Sequence, residues 1–192
     1  MCNCMVKYII PLIVIIASIA AVAIALVFLT GHTTTAQSGP ELAQFTMLSH
    51  ATTDQCAYLG DKTAIYNSVY SLANNTYFQG SCCTPMVYKH YTQQIAGLKN
   101  YSNISAVPQN PYNVSIGQVK QLFGYYNNIT LNQSQNVTFN QAASLTQDKS
   151  WCCCQCWAWY AHAGLAKYMI KNYNYNVSQV VMLINLEECC GG

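Results

Sequence analysis

The sequence contains little charge and no arginine. Only 7% of its 192 residues are charged, and the formal net charge is +2. All of its basic residues are lysines spread along the chain, so they form no basic stripe of the kind that follows a phosphate backbone. We therefore expect no nucleic-acid partner. A surface with so few charges also needs another source of solubility.

Asparagine supplies that source. The chain has eight Asn-x-Ser/Thr sequons, none with proline in the middle, where a shuffled chain of this composition would hold about two or three. This excess indicates a domain on the cell exterior that is covered by glycans. The alternative is a polar surface that is merely rich in Asn and Thr. The sequon asparagines are Asn74, Asn100, Asn103, Asn113, Asn128, Asn132, Asn136 and Asn176.

An almost unbroken apolar run near the N-terminus is long enough to cross a bilayer as a helix. The apolar core of a cleaved signal peptide is shorter, so we predict a retained signal anchor over residues 8–30. Lys7 is the only charge before the run, and the positive-inside rule then places residues 1–7 in the cytoplasm. After a polar linker at residues 31–40, the chain is expected to be extracellular, lumenal or on a virion envelope, with the lipid bilayer as a partner.

Eleven cysteines in a chain of this size indicate an oxidising compartment. Nine of them follow the apolar run, and because nine is odd, four disulfides would leave one thiol over. Cys156 is our candidate for that thiol. A zinc site is the rival interpretation, but neighbouring cysteines do not easily bind one ion together, so we predict no metal and no cofactor. The disulfide candidates are Cys56, Cys82, Cys83, Cys152, Cys153, Cys154, Cys189 and Cys190.

The hydrophobic periodicity after the linker is mostly helical. Residues 127–140 instead alternate between apolar and polar side chains, which predicts a hairpin or an extended strand pair. The predicted fold class is mainly α, with one N-terminal transmembrane helix and a disulfide-rich, helix-dominated ectodomain that has room for a small β-hairpin. Its helical part is residues 41–150, and a cysteine-rich segment follows at 151–192. Helices are predicted near 42–49, from a capping Asp61 to Leu72, from Pro85 to Leu98, and from a capping Ser115 to Tyr126.

The last helical pattern begins inside a group of cysteines. Residues 151–159 read Trp-Cys-Cys-Cys-Gln-Cys-Trp-Ala-Trp, and from Trp157 onward the apolar residues follow one buried helical stripe. Cys156 therefore lies at or just before the first turn, where unpaired backbone N–H groups lower a thiol pKa and favour a nucleophilic thiolate. His162 faces another side of this helix and is expected to be exposed or partly packed.

The segment Cys153-x-x-Cys156-Trp157-Ala158-Trp159 resembles the nucleophile segment of papain-family cysteine peptidases, whose pattern is Cys-Gly-Ser-Cys-Trp-Ala-Phe. The resemblance implies that Cys156 is the nucleophile and Gln147 the oxyanion-hole glutamine. It also implies a disulfide from Cys153 to Cys189 or Cys190, and a propeptide-like role for residues from about Glu41 to Gln147. The similarity extends to Ser178, Gln179, Leu186, Cys189 and Cys190–Gly192.

The resemblance covers only the nucleophile lobe of that family, because the general-base histidine and its orienting asparagine would fall beyond Gly192. We therefore expect a membrane-anchored, extracellular cysteine endopeptidase that is truncated or incomplete and inactive as this chain alone. Its substrate would be a peptide or protein, and its base would come from a missing lobe or a complementary chain. The alternative is a non-enzymatic, disulfide-stabilised surface or viral envelope glycoprotein with a structural or binding role, alone or as a homo-oligomer.

Overall fold

The structure is a computed structural model that describes residues 39–51 and 58–191. The predicted cytoplasmic tail, signal anchor and most of the linker lie outside these residues, as does Cys56. The described chain is mainly helical and includes one antiparallel pair of short strands. Its elements are α1 (Pro40–Ser49), α2 (Lys62–Ser71), β1 (Tyr77–Gln79), α3 (Tyr88–Leu98), a 3-10 turn (Lys99–Tyr101), β2 (Asn113–Ser115), α4 (Ile116–Asn128), α5 (Gln133–Leu145), α6 (Trp157–Tyr173) and α7 (Val177–Leu186).

The predicted membrane-spanning, disulfide-rich fold class is wrong for the residues that the structure describes. Across residues 39–51 and 58–191, no helix combines the length and the apolar character needed to cross a membrane; the predicted anchor itself lies outside these ranges. The eight cysteines of the same ranges form no disulfide bond. The measured separations between their sulfurs run from 2.7 to 3.9 Å, well above the ~2.05 Å of a covalent bond. Helix packing and backbone hydrogen bonds, rather than cross-links, hold the cysteines together.

Side-chain caps determine where several helices begin. The Asp61 carboxylate accepts a hydrogen bond from the Ala64 N–H at the start of α2, and the Ser115 hydroxyl accepts one from the Gln118 N–H at the start of α4. Each cap satisfies a backbone donor that has no partner within its helix. Both caps confirm the sequence prediction.

The hairpin predicted for residues 127–140 is wrong. Helix α4 continues to Asn128, and α5 begins at Gln133 after a short connection. The reason is a capping box, in which the Asn132 side chain accepts from the Gln135 N–H while the Gln135 side chain accepts from the Asn132 N–H. This reciprocal pair starts a helix where the alternating pattern alone indicates a strand. The strand pair lies elsewhere and joins β1 to β2, with Phe78 opposite Val114.

The helices α4 and α6 pack against each other more extensively than any other pair in the described chain. Their backbones approach closely at Gly164, where a Cβ atom would overlap the carbonyl oxygen of Leu122 and lie 3.1 Å from the Tyr126 nitrogen. Nearby, the Lys167 ammonium donates to the Tyr126 carbonyl at 2.7 Å. That carbonyl lies in the last turn of α4, where helix carbonyls lack partners within the helix. The contact fixes the position of α6, which Cys156 directly precedes as the N-cap residue.

Replacing Gly164 with alanine should destabilise the protein, because the added methyl group has backbone rather than a flexible side chain to displace. We expect the free energy of unfolding of Gly164→Ala to fall by roughly 1–3 kcal/mol. Urea unfolding followed by circular dichroism would measure it. The matched control is Gly124→Ala in α4, where an added Cβ meets nothing within 4 Å and alanine favours the helix. Equal stability of the two variants would contradict the close contact.

Candidate functional site, a buried sulfur cluster

Backbone hydrogen bonds join two cysteine pairs that are distant in sequence. The Cys82 N–H donates to the Cys189 carbonyl at 3.2 Å, and the Thr84 N–H donates to the Cys190 carbonyl at 2.8 Å. The Thr84 hydroxyl donates to the same carbonyl at 2.8 Å. Gly191 follows with φ +102° and has no room for a Cβ beside Thr84, so the two segments lie in tight contact. This pairing places Cys82 and Cys83 beside Cys189 and Cys190.

The loop before α6 brings the remaining cysteines to the same place. Cys156 is the N-cap residue of α6, and its N–H donates to the Cys154 carbonyl at 2.9 Å, which turns the chain sharply. The Gly60 N–H donates to the Gln155 carbonyl at 3.0 Å and holds this loop against the segment before α2. The sulfur cluster thus consists of Cys82, Cys83, Cys152, Cys153, Cys154, Cys156, Cys189 and Cys190.

Cys190 lies in the middle of the measured sulfur contacts. Its Sγ is 2.7 Å from that of Cys153, 3.3 Å from that of Cys152 and 3.7 Å from that of Cys82. The resemblance to papain-like peptidases implied a disulfide from Cys153 to Cys189 or Cys190. The structure does bring Cys153 next to Cys190, but without a covalent bond.

Cys83 links the two cysteine-rich segments on the outer side of the cluster. Its Sγ lies 3.4 Å from that of Cys82, 3.2 Å from that of Cys153 and 3.9 Å from that of Cys154. Cys83 and Cys153 are exposed, whereas Cys152, Cys156, Cys189 and Cys190 are buried. The cluster is therefore open to solvent on one side only.

Contacts between the thiols shift their pKa values in opposite directions. Hydrogen bonding from the Cys152 thiol, and then from Cys189 and Cys82, holds the pKa of Cys190 well below its usual range. Hydrogen bonding to Cys152 raises the pKa of Cys82, and hydrogen bonding to Cys156 raises the pKa of Cys152. A sulfur that accepts several S–H donors is stabilised as an anion.

Two carboxyl groups lie beside Cys190. Glu188 is 7% exposed, and its Oε1 accepts a hydrogen bond from the Cys190 N–H at 2.5 Å. Its Oε2 is 3.8 Å from Nε2 of His90. Burial, followed by the charge on Cys190, raises the pKa of Glu188 to about 8. Burial, followed again by the Cys190 charge, also raises the pKa of Asp148.

The predicted catalytic residues are not assembled into one cleft. Cys156 does cap α6, but its side chain has no exposed surface. Gln147 and His162 line a different feature, a cavity of about 10 Å³ that Asp148 and Glu188 also line. His162 is 6% exposed, and its Nδ1 is 2.7 Å from the Trp151 carbonyl oxygen. The expectation that His162 is exposed or partly packed is wrong, because α6 has buried residues around most of its circumference.

Comparisons with family models, with curated proteins and with solved structures find no match to this chain. The papain resemblance therefore depends on the motif residues alone. Sequence reasoning missed the carboxylate side of the cluster, although a signal was present. Two of the six acidic residues, Glu187 and Glu188, directly precede the Cys189–Cys190 pair. Because the chain has so few charges, two adjacent acidic residues beside a cysteine pair are a signal that could have predicted carboxyl groups at the cluster.

Glu187 occupies a largely apolar environment at the end of α7. It is 1% exposed, and its Oε1 has no hydrogen-bond partner within the described residues. It lines a second cavity of about 10 Å³ together with Trp157, His162 and Leu165. Burial alone raises the pKa of Glu187 well above the usual value of 4.5. Burial therefore favours the neutral, protonated form of Glu187 in the folded protein.

Replacing Glu187 with glutamine should reduce the dependence of stability on pH. Because the folded pKa is raised, the folded state retains a proton that the unfolded chain releases above pH 4.5. Stability is therefore fully present below that pH and falls as pH rises toward the folded pKa, by up to about 1.4 kcal/mol per pH unit. Urea unfolding from pH 5 to pH 8 should show a shallower slope for Glu187→Gln. Glu41→Gln, at the start of α1, is the control, and an unchanged slope in Glu187→Gln would contradict the assignment.

Proposed function

We propose that residues 39–191 form an exterior-facing, non-enzymatic glycoprotein module with a structural or binding role. The observation that carries this proposal is the position of the sequon asparagines. Seven of the eight are exposed, and Asn113 is half-buried, with its Oδ1 accepting from the Gln79 amide at 3.0 Å. Glycans are bulky and need surface positions, and a chain that buries its sequons would not support the proposal.

The capping asparagines are compatible with glycosylation. Asn132 and Asn176 each accept a backbone hydrogen bond through Oδ1, at the starts of α5 and α7. A glycan attaches through Nδ2, so both atoms act without competition. The same residues can start a helix and carry a sugar.

Glycans would also explain how a surface with little charge stays soluble. Three sequons, Asn128, Asn132 and Asn136, lie at the end of α4 and the start of α5. Val137 follows the last of them and is 52% exposed. A sugar on Asn136 would shield this apolar side chain, a task that charged residues perform in most soluble proteins.

The burial of Cys156 favours the non-enzymatic proposal over the peptidase. A nucleophilic sulfur must reach a substrate carbonyl, and that of Cys156 is enclosed among other sulfurs. The sulfurs of Cys82 and Cys154 lie within 4.8 Å of the Cys156 sulfur. The peptidase stays a prediction, favoured by the position of Cys156 at the start of α6.

Enzymatic removal of N-glycans tests the exterior location. The full chain, expressed through a eukaryotic secretory pathway, should shift to lower mass on treatment with an N-glycosidase. Asn103→Gln should lose one glycan, because Asn103 is exposed. The control is Asn67→Gln, at an exposed asparagine in α2 outside any sequon, which should leave the number of glycans unchanged. A chain without any N-glycan would overturn the proposal.

Thiol alkylation tests the non-enzymatic assignment. In the folded, reduced protein, a small alkylating reagent should modify exposed Cys153 at least about tenfold faster than buried Cys156, since the thiolate must be accessible to react. Peptide mass spectrometry after timed quenching gives both rates. Protein unfolded in urea is the control, in which the two rates should converge. Preferential labelling of Cys156 in the folded protein would favour the peptidase instead.

A further inference from the structure

The sulfur cluster contains several groups of atoms spaced as metal ligands. In each group, the ligand atoms all lie within 4.8 Å of one another. The groups share members, and five cysteines each belong to two of them: Cys82, Cys83, Cys153, Cys154 and Cys190. The four groups are Asp148 with Cys152, Cys153 and Cys190; Cys82 with Cys83 and Cys190; Cys82 with Cys154 and Cys156; and Cys83 with Cys153 and Cys154.

The sulfur separations resemble those around a tetrahedral ion. Zinc–sulfur bonds of ~2.3 Å in a tetrahedron place two sulfurs about 3.8 Å apart. Cys190 is 3.7 Å from Cys82, and Cys83 is 3.9 Å from Cys154 and 3.4 Å from Cys82. Two separations in the group with Asp148 are shorter: Cys190 is 2.7 Å from Cys153 and 3.3 Å from Cys152. These pairs would have to move apart by about 1.1 and 0.5 Å on binding. Adjacent cysteines do occur in one ligand group, as Cys82 and Cys83 do, and as Cys152 and Cys153 do. The sequence-based objection, that neighbouring cysteines do not easily bind one ion together, therefore does not apply here.

The charges around the cluster also suit a cation. Cys190 belongs to two of the groups, and it is the sulfur toward which several thiols converge. Asp148 supplies a carboxylate to one of those groups. Oε2 of Glu188 is buried and has no hydrogen-bond partner in the described chain. A divalent ion would replace the protons on these groups, because thiols and carboxyl groups bind a metal in their deprotonated form.

We propose that the sulfur cluster binds a thiophilic divalent cation of the Zn²⁺ class, with Cys190 as the common ligand. Thiolate ligands select zinc and other soft ions, and a carboxylate beside them is compatible with zinc. One group would provide Asp148, Cys152 and Cys153 with Cys190, and the other Cys82 and Cys83 with Cys190. The ion would connect the segment after β1, the loop before α6 and the segment after α7.

A bound ion would also account for neighbouring thiols on an exterior-facing protein. An oxidising compartment converts close thiols to disulfides, whereas a Zn²⁺ ion has no redox chemistry and occupies the sulfur lone pairs. Only this argument from an oxidising compartment rests on the proposed function. The ligand geometry does not, so metal content and glycan content are independent readouts.

Metal analysis of the reduced full chain tests the proposal directly. We expect at least one equivalent of zinc per chain after purification without chelators. After removal of zinc, Co²⁺ added alone should give thiolate-to-cobalt charge-transfer absorption and the intense visible bands of a tetrahedral site. Zn²⁺ should then abolish these bands by displacing the cobalt. No cobalt absorption in the unmodified chain, or cysteine pairs that are oxidised with no metal bound, would overturn the proposal.

Matched cysteine variants locate the site. Cys190→Ser should weaken Co²⁺ binding at least tenfold, because it removes the common ligand. Asp148→Asn should leave the fold intact and change the visible cobalt spectrum. The control is Glu41→Gln, which alters a carboxylate in α1 that belongs to none of the four ligand groups and should retain both the affinity and the cobalt spectrum. Equal affinity of Cys190→Ser and the unmodified chain would sink the assignment, and the unmodified chain remains decisive if a variant fails to fold.

Discussion

The pairing of residues 82–84 with residues 189–190 is the constraint on which the cluster depends. Its backbone hydrogen bonds join Cys82 to a segment more than 100 positions later, since the Cys82 and Cys190 sulfurs are separated by 108 residues in sequence. Such a pairing is expensive in chain entropy, and the α4–α6 packing supplies the rigid frame that supports it. Gly164 allows the backbone of α6 to approach that of α4, and Gly191 allows the chain to pass close to Thr84.

The local features of the fold could be predicted from sequence, and the long-range ones could not. Asp61 and Ser115 act as helix caps because capping depends on a few neighbouring residues. The strand pair was misplaced, since β1 and β2 are separated by more than 30 residues and each contributes only three. Alternation over a short stretch is a weak indicator when a capping box such as Asn132 with Gln135 competes with it.

The candidate site shows the same division. The cysteines could be selected from the sequence as the residues that matter, and Cys156 as a helix N-terminus, because both are local patterns. Whether sulfurs are bonded, exposed or grouped depends on tertiary contacts, so neither the absence of disulfides among the described cysteines nor the burial of Cys156 was foreseeable. The carboxyl groups of Glu187 and Glu188 escaped attention because acidic residues are usually solvated. Their burial gives this part of the molecule its distinctive electrostatics.

The distribution of the cluster along the chain has a consequence for biosynthesis. Six of its cysteines leave the ribosome well before Cys189 and Cys190 do, and chains begin to fold from the N-terminal side as they emerge. During that interval Cys82, Cys83 and the cysteines before α6 lack the segment that completes their native surroundings. If the chain is made in an oxidising compartment, as proposed, nascent chains are most vulnerable to thiol pairing at this stage, and rapid docking of α7 would shorten it.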